Sequence, residues 1–145
     1  MACILANVIS QPILMGMNAQ ILIPGLADLH PAWNRGISFG LMAQDSQTGR
    51  YLLIGFLSVV AAVVAVMAWR AVSTLSAAGY GLVLGGAIGN LMDRVRFEGA
   101  VFDFLFLHLG RLPLFVCNLP DIFISAGFIF LVLDIMAAKP ADAAA

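Results

Sequence analysis

The run YLLIGFLSVVAAVVAVMAW, Tyr51–Trp69, carries no charged side chain. Wound as a helix at about 1.5 Å per residue, it nearly matches the ~30 Å hydrocarbon thickness of a bilayer. It has no polar face to turn towards water, so it is expected to span a membrane, with Tyr51 and Trp69 at the two interfaces. A second run, AVSTLSAAGYGLVLGGAIGNLM at 71–92, is interrupted by Gly81, Gly85, Gly86 and Gly89. Small residues allow backbones to approach closely, which predicts a central spanning helix. A third run, IFISAGFIFLVLDIMA at 122–137, reaches spanning length if it begins near Leu119, giving an expected helix at about 119–137.

Composition points the same way. Of 145 residues, 62% are hydrophobic and 10% charged, whereas a soluble domain carries about 25% charged residues. The chain is therefore expected to be one integral membrane domain over 1–145. A formal net charge of −1 leaves no basic surface for nucleic acid. Cys3 and Cys117 lack metal-ligand spacing and are expected to be buried free thiols. His30 and His108 are too few and too far apart to imply a metal, and no cofactor is expected. No lysine or arginine precedes Arg35, so a cleaved secretory signal is not expected.

The opening stretch, about 1–27, is apolar but broken by Asn7, Gln11, Pro12, Asn18, Gln20 and Pro24. It reads either as a poor first spanning helix, broken at Pro12, or as a partly embedded or disordered segment. The spanning reading is preferred. Arg70 and Lys139 flank the clear spans and would be cytoplasmic by the positive-inside rule. Residues 28–50 and 93–118 then share the outer side, where Arg94, Arg96 and Arg111 run against that rule. Both outer regions hold short strand candidates. FEGAVFDFLFL has a turn signal at Glu98-Gly99, and GRLP at 110–113 is another.

Most polar groups gather on that outer side. Asn34, Arg35 and Ser38 lie in WNRGISFG, and Asn90, Asp93 and Arg94 in GNLMDR. Asp103 and His108 lie in VFDFLFLH, and Asn118 and Asp121 in CNLPD. Capping and solvation at helix ends account for Asp93 and Asp121, with Pro120 suited to a first helical turn. Asp103 is harder to place, because a carboxylate in so apolar a run is costly unless paired, exposed or used. It stands 18 residues before Asp121, and an excursion through GRLP can bring the two together. Two carboxylates in one site cannot both ionise comfortably, so one keeps a proton. One then activates water while the other polarises a carbonyl, which is aspartic proteolysis. A proton or ion pathway has similar standing on these residues alone. Nothing suggests a serine or cysteine nucleophile.

These motifs carry a resemblance. WNRGISFG at 33–40 resembles the Asn-x-Gly-x-x-Phe box of bacterial lipoprotein signal peptidase, signal peptidase II. GGAIGNLMDRV at 85–95 is similar to that family's Gly-Asn-x-x-Asp-Arg box. VFDF at 101–104 resembles its Val-Val-Asp-Phe strand, and VCNLPD at 116–121 its Phe-Asn-x-Ala-Asp box. Order and spacing agree over about residues 20–137.

The resemblance implies an all-α integral membrane protein, a four-helix bundle with both ends cytoplasmic and a small extracytoplasmic β-like cradle. The first helix here is atypical or incomplete, because ISQPILMGMN stands where the family has an Asp-Gln-x-x-Lys-like stretch. The start is then truncated, misassigned or substituted. The implied activity is removal of the signal peptide from diacylglyceryl-modified prolipoproteins, with cleavage just before the lipidated cysteine. By the matching boxes, Asp103 and Asp121 correspond to the catalytic dyad, with Asp93 as rival for the first role. Asn34, Gly36, Asn90, Asp93, Arg94 and Asn118 fall at supporting or substrate-binding positions. The implied location is the bacterial cytoplasmic (inner) membrane, in contact with membrane lipids and with the site on the periplasmic side. Both aspartates lie on one chain, so a monomer is expected. Cys117 and Pro120 depart from the family's Phe and Ala. The alternatives are an inactive or degenerate member, or a small membrane transporter or scaffold.

Overall fold

A computed structural model describes residues 11, 14–16, 18–36 and 46–138. Of the stretch preferred as a first span, 1–27, residues 1–10, 12, 13 and 17 lie outside them, and its end is strand instead of helix, at Gln20–Ile23 and from Ala27. Cys3, Ser38 and Lys139 also lie outside the described residues. The described elements run β1 (Gln20–Ile23), β2 (Ala27–Asn34), α1 (Gln47–Trp69), α2 (Thr74–Arg96), β3 (Val101–Leu109), β4 (Leu112–Cys117) and α3 (Leu119–Ala137). All three helices are long and apolar enough to cross a membrane. The chain is a multi-pass, predominantly helical membrane protein with a small open sheet, the class expected from the sequence.

The four strands form one antiparallel sheet in the order β1-β2-β3-β4. The α1–α2 hairpin is inserted between β2 and β3, which pair with each other. The chain therefore leaves the sheet, makes two spans and returns to the strand edge it left. This return places the end of α2 beside the sheet. The β2–β3 register shifts between Leu29 and Ala32, where Pro31 has no N–H to give to a ladder. Pairing resumes with Ala32 opposite Asp103 and Asn34 opposite Val101.

Each helix begins at a side-chain cap. Ser46 accepts from the Gly49 N–H at 3.1 Å, and Ser73 and Ser76 form a reciprocal capping box. α2 continues to Arg96, past the Met92 at which its apolar run ends. The charges at 93–96 stop the hydropathy pattern but not the helix, because Asp93 and Arg94 are buried with internal partners.

α2 packs most extensively on α3 and less on α1. Glycines set that close approach. A Cβ at Gly86 would collide with the Pro120 carbonyl oxygen and stand 2.6 Å from Ile124 Cγ1. One at Gly127 would stand 2.6 Å from the Gly79 oxygen. The outward faces of the helices remain apolar and exposed, including Phe56, Val63, Phe128 and Leu133, as lipid contact requires.

Candidate active site

The pleat of β3 sorts its side chains into two sets. Phe102 lies 6.0 Å from Phe104, and Phe106 stacks on His108 at 5.1 Å. Trp33 meets both Phe97 and Phe102, at 5.1 and 5.2 Å. Asp103 belongs to the alternate set, with Leu105 and Leu107. Leu105 pairs with Cys117, and α3 starts two residues after Cys117. The strand pairing thus carries the Asp103 face towards the first turn of α3.

Asp103 is only 3% exposed. Its Oδ2 accepts from Asn34 Nδ2 at 3.1 Å, and Asn34 Oδ1 accepts from the Gly36 N–H at 3.0 Å. That second bond fixes which end of the Asn34 amide faces the carboxyl. Asp103 Oδ1 is buried with no hydrogen-bond partner among the described residues. Burial, and then the charge of Asp121, push the Asp103 carboxyl up to about 7. The Asn34 hydrogen bond and the Arg94 charge oppose that rise, and Asp93 is its weakest contributor.

Asp121 sits in the first turn of α3. Its N–H donates to Asn118 Oδ1 at 3.0 Å, and its Oδ2 accepts from the Asn118 N–H at 3.2 Å. Asn90 Nδ2, from α2, donates to Asp121 Oδ1 at 2.8 Å, while Asn90 Oδ1 accepts from Asn118 Nδ2 at 3.0 Å. Asn118 is fully buried. The three side chains therefore close a ring that locks α2 to α3. It forms because Gly86 and Gly89 let Pro120 lie against α2.

Arg94 is buried and braces the cradle. Its Nη1 donates to the Gly99 carbonyl at 2.9 Å and its Nη2 to the Gly36 carbonyl at 2.6 Å. This joins the loop after β2 to the turn before β3. Asp93 is also buried, but its Oδ2 accepts from Gln11 Nε2 at 2.6 Å. The expected residues Asn34, Gly36, Asn90, Arg94, Asp103, Asn118 and Asp121 thus fall into one connected region. Asp93 is bound at its edge, into the N-terminal segment.

A groove of about 300 Å³ opens beside Asp121. β3 and β4 wall one side with Leu107, Phe115 and Cys117, and α3 walls the other with Ile122, Ser125 and Ile129. The free Cys117 thiol is pushed up to about 11 by burial, then by the charges of Asp121 and Asp103. It stays protonated at neutral pH and is a poor nucleophile there.

Three residues near the site have no role in the sequence reading. Gln11 stands there only as an interruption, yet it contacts Asp93 across 82 positions. Arg50 pairs with Glu98 at 3.5 Å, tying α1 to the α2–β3 turn. Ser125 stands in an apolar helix and lines the groove. Its spacing from Asp121, i and i+4, was the available signal. Among the described residues no group of His, Cys, Asp and Glu could hold a metal ion.

Residues 2–137 match the family model for signal peptidase (SPase) II. The chain is 44% identical over 116 residues to the lipoprotein signal peptidase of Methylorubrum extorquens (strain PA1). That match covers 79% of this chain and 66% of the relative. It is 40% identical over 124 residues to the lipoprotein signal peptidase of Methylobacterium sp. (strain 4-46), covering 86% and 70%. A solved bacterial membrane enzyme structure, at 2.3 Å, superposes with a TM-score of 0.77 over 99% of this chain and 88% of that one, at 16% identity. At that identity the likeness speaks for the fold alone, while the family match extends over nearly the whole sequence. This chain belongs to the signal peptidase II family of membrane aspartyl peptidases.

Proposed function

We propose that this chain is an aspartyl endopeptidase that removes the signal peptide from diacylglyceryl-modified prolipoproteins, cutting before the lipidated cysteine. The observation that carries the reading is one pair of carboxyls: buried Asp103, raised to about 7 by burial and by Asp121, and half-buried Asp121, which lines an apolar groove. Like charges in a shared site hold one proton between them.

In this scheme the proton starts on Asp103 and faces the scissile carbonyl oxygen. Asp121, oriented by Asn90 and Asn118, takes a proton from water as the water oxygen bonds to the carbonyl carbon. Asp103 gives its proton to the carbonyl oxygen, forming a tetrahedral gem-diol. On collapse, Asp103 takes a hydroxyl proton back and Asp121 protonates the departing nitrogen. The C–N bond breaks, leaving a carboxyl on the signal peptide and an amino group on the lipidated cysteine. Asn34 orients Asp103, and Arg94 keeps the surrounding cradle rigid. The groove receives the diacylglyceryl group, whose apolar burial supplies much of the affinity.

The site is assigned to the periplasmic face of the inner membrane. Arg70 lies at the far end of the α1–α2 hairpin. Of the three arginines that run against this orientation, Arg94 is held by two carbonyls and Arg96 lies over the Phe97 ring at 5.0 Å, while Arg111 is exposed at the β3–β4 turn; Arg50, at the same end, pairs with Glu98. Structural use of Arg94 and Arg96 weakens their vote against this orientation. The test is cleavage of a purified diacylglyceryl lipobox peptide by the full chain in detergent. Asp103→Asn and Asp121→Asn should each abolish cleavage while remaining folded. Full activity in either variant would reject the dyad.

A further inference from the structure

Among the described side chains lining the groove, the Ser125 hydroxyl is the only oxygen besides the Asp121 carboxylate. Four other serines are described, and each has its hydroxyl engaged. Ser46 caps α1, Ser73 and Ser76 cap α2, and Ser58 donates back to the Ile54 carbonyl at 2.8 Å. That backward bond is the usual resort of a serine inside a helix. Ser125 is exposed to the groove and makes no hydrogen bond within the described residues. A hydroxyl in apolar surroundings costs free energy until it finds a partner.

Its position says where that partner lies. Ser125 is one turn beyond Asp121 on the same face of α3, about 6 Å further along the axis. This inference rests on the diacylglyceryl reading above. In such a substrate the glyceryl unit hangs from the cysteine sulfur, a few bonds from the scissile amide. Its two ester carbonyls are the strong acceptors in an otherwise apolar lipid portion. We infer that Ser125 is a specificity-determining residue: its hydroxyl donates to an ester carbonyl of the diacylglyceryl group and so sets how deep the lipid sits beneath the two aspartates.

The test compares two lipobox peptides in an ester-free maltoside detergent. One carries a dipalmitoylglyceryl group on its cysteine, and the other carries the matching dihexadecylglyceryl diether, which lacks the carbonyls. One neutral hydrogen bond corresponds to about a fivefold preference. Wild type should therefore show a KM about fivefold lower for the diester. Ser125→Ala should bring the ratio close to one by raising the diester KM, and Ser125→Thr, which keeps a hydroxyl, should restore most of it. An unchanged ratio in Ser125→Ala, or no preference in wild type, overturns the inference. Adding diacyl phospholipid separates the other source of esters. Stronger inhibition of wild type than of Ser125→Ala, with no diester preference, would mean that Ser125 reads bulk lipid instead. If wild type cleaves neither peptide, the peptidase reading fails. Equilibrium binding of fluorescent forms of the two peptides to wild type and Ser125→Ala then decides Ser125 by the same ratio.

Discussion

Asn118 and Asp121 bind each other twice across the start of α3, through bonds of 3.0 and 3.2 Å. Such a reciprocal cap contributes about 1 kcal/mol to a helix. Here it also fixes one oxygen of Asp121 and leaves the other for Asn90. Stability and site geometry can be separated at this residue. Asn118→Ser keeps a capping oxygen but removes the amide that donates to Asn90. It should melt within a few degrees of wild type yet lose most of its kcat. Asn118→Ala should lose both, with about 1–2 kcal/mol of stability gone. Thermal melts in detergent, paired with peptide cleavage, check this. Equal activity in Asn118→Ser and wild type would show that the ring does not orient Asp121.

The Asp103 carboxyl, raised to about 7, ties both activity and stability to pH. If the shared proton starts on Asp103, kcat/KM should fall as pH rises through about 7. For stability, the folded state binds the proton more tightly than the unfolded chain, whose reference value is 3.8. The group's contribution is thus complete below about 3.8, declines as pH climbs, and is lost above about 7. Asp103→Asn removes this dependence. It should be inactive, yet more stable than wild type at pH 8 and less distinguishable from it at pH 4. Melting curves across that range measure the difference. A wild type whose stability does not fall between pH 4 and 7 relative to Asp103→Asn would contradict the raised value.

Two glycines of one helix should respond in opposite ways. A Cβ at Gly86 meets the Pro120 carbonyl and Ile124, which are part of the wall that carries Asp121. Backbone cannot yield as a flexible side-chain end can. Gly86→Ala should therefore cost about 1–3 kcal/mol and reduce activity, with Gly86→Leu worse. Gly81 has nothing within 4 Å of its would-be Cβ. Gly81→Ala should be neutral or stabilising by up to about 1 kcal/mol, because alanine is the better helix former. Matching losses at both positions would remove the packing explanation.

The spans and the polar motifs were legible because each leaves a local trace. An uncharged run reveals α1, and an apolar run broken by Asp134 reveals α3; of the glycines read in α2, Gly86 and Gly89 lie on the face that meets α3 and Gly81 does not. Asp103 was conspicuous as a charge among aromatic residues. The end of α2 was less legible, since Asp93 and Arg94 look like a helix end until their buried partners are known. β1 falls within the stretch that the sequence offers as a candidate span. Its Ile21, Leu22 and Ile23 are all exposed, so strand alternation gives no signal. The Pro24-Gly25 turn, with Gly25 at φ +77°, was the available cue. The pairing of Gln11 with Asp93 had no local trace at all. It depends on where two segments 82 positions apart meet.

Lipid dependence can be tested at Ala126, which lines the groove on α3. Filling that space should exclude part of an acyl chain without touching either aspartate. Ala126→Phe that displaces about two methylenes from apolar contact should raise the KM of a dipalmitoylglyceryl peptide by about tenfold, at ~0.8 kcal/mol per methylene. The penalty should shrink as the acyl chains are shortened, because short chains have less to lose from the blocked volume. A series from dioctanoyl to dipalmitoyl, assayed against wild type and Ala126→Phe, measures that slope. If the penalty is the same at every chain length, the introduced ring disturbs the position of α3 and the acyl chains lie elsewhere. If it grows with chain length, the groove between β4 and α3 is where the substrate's lipid is held during cleavage.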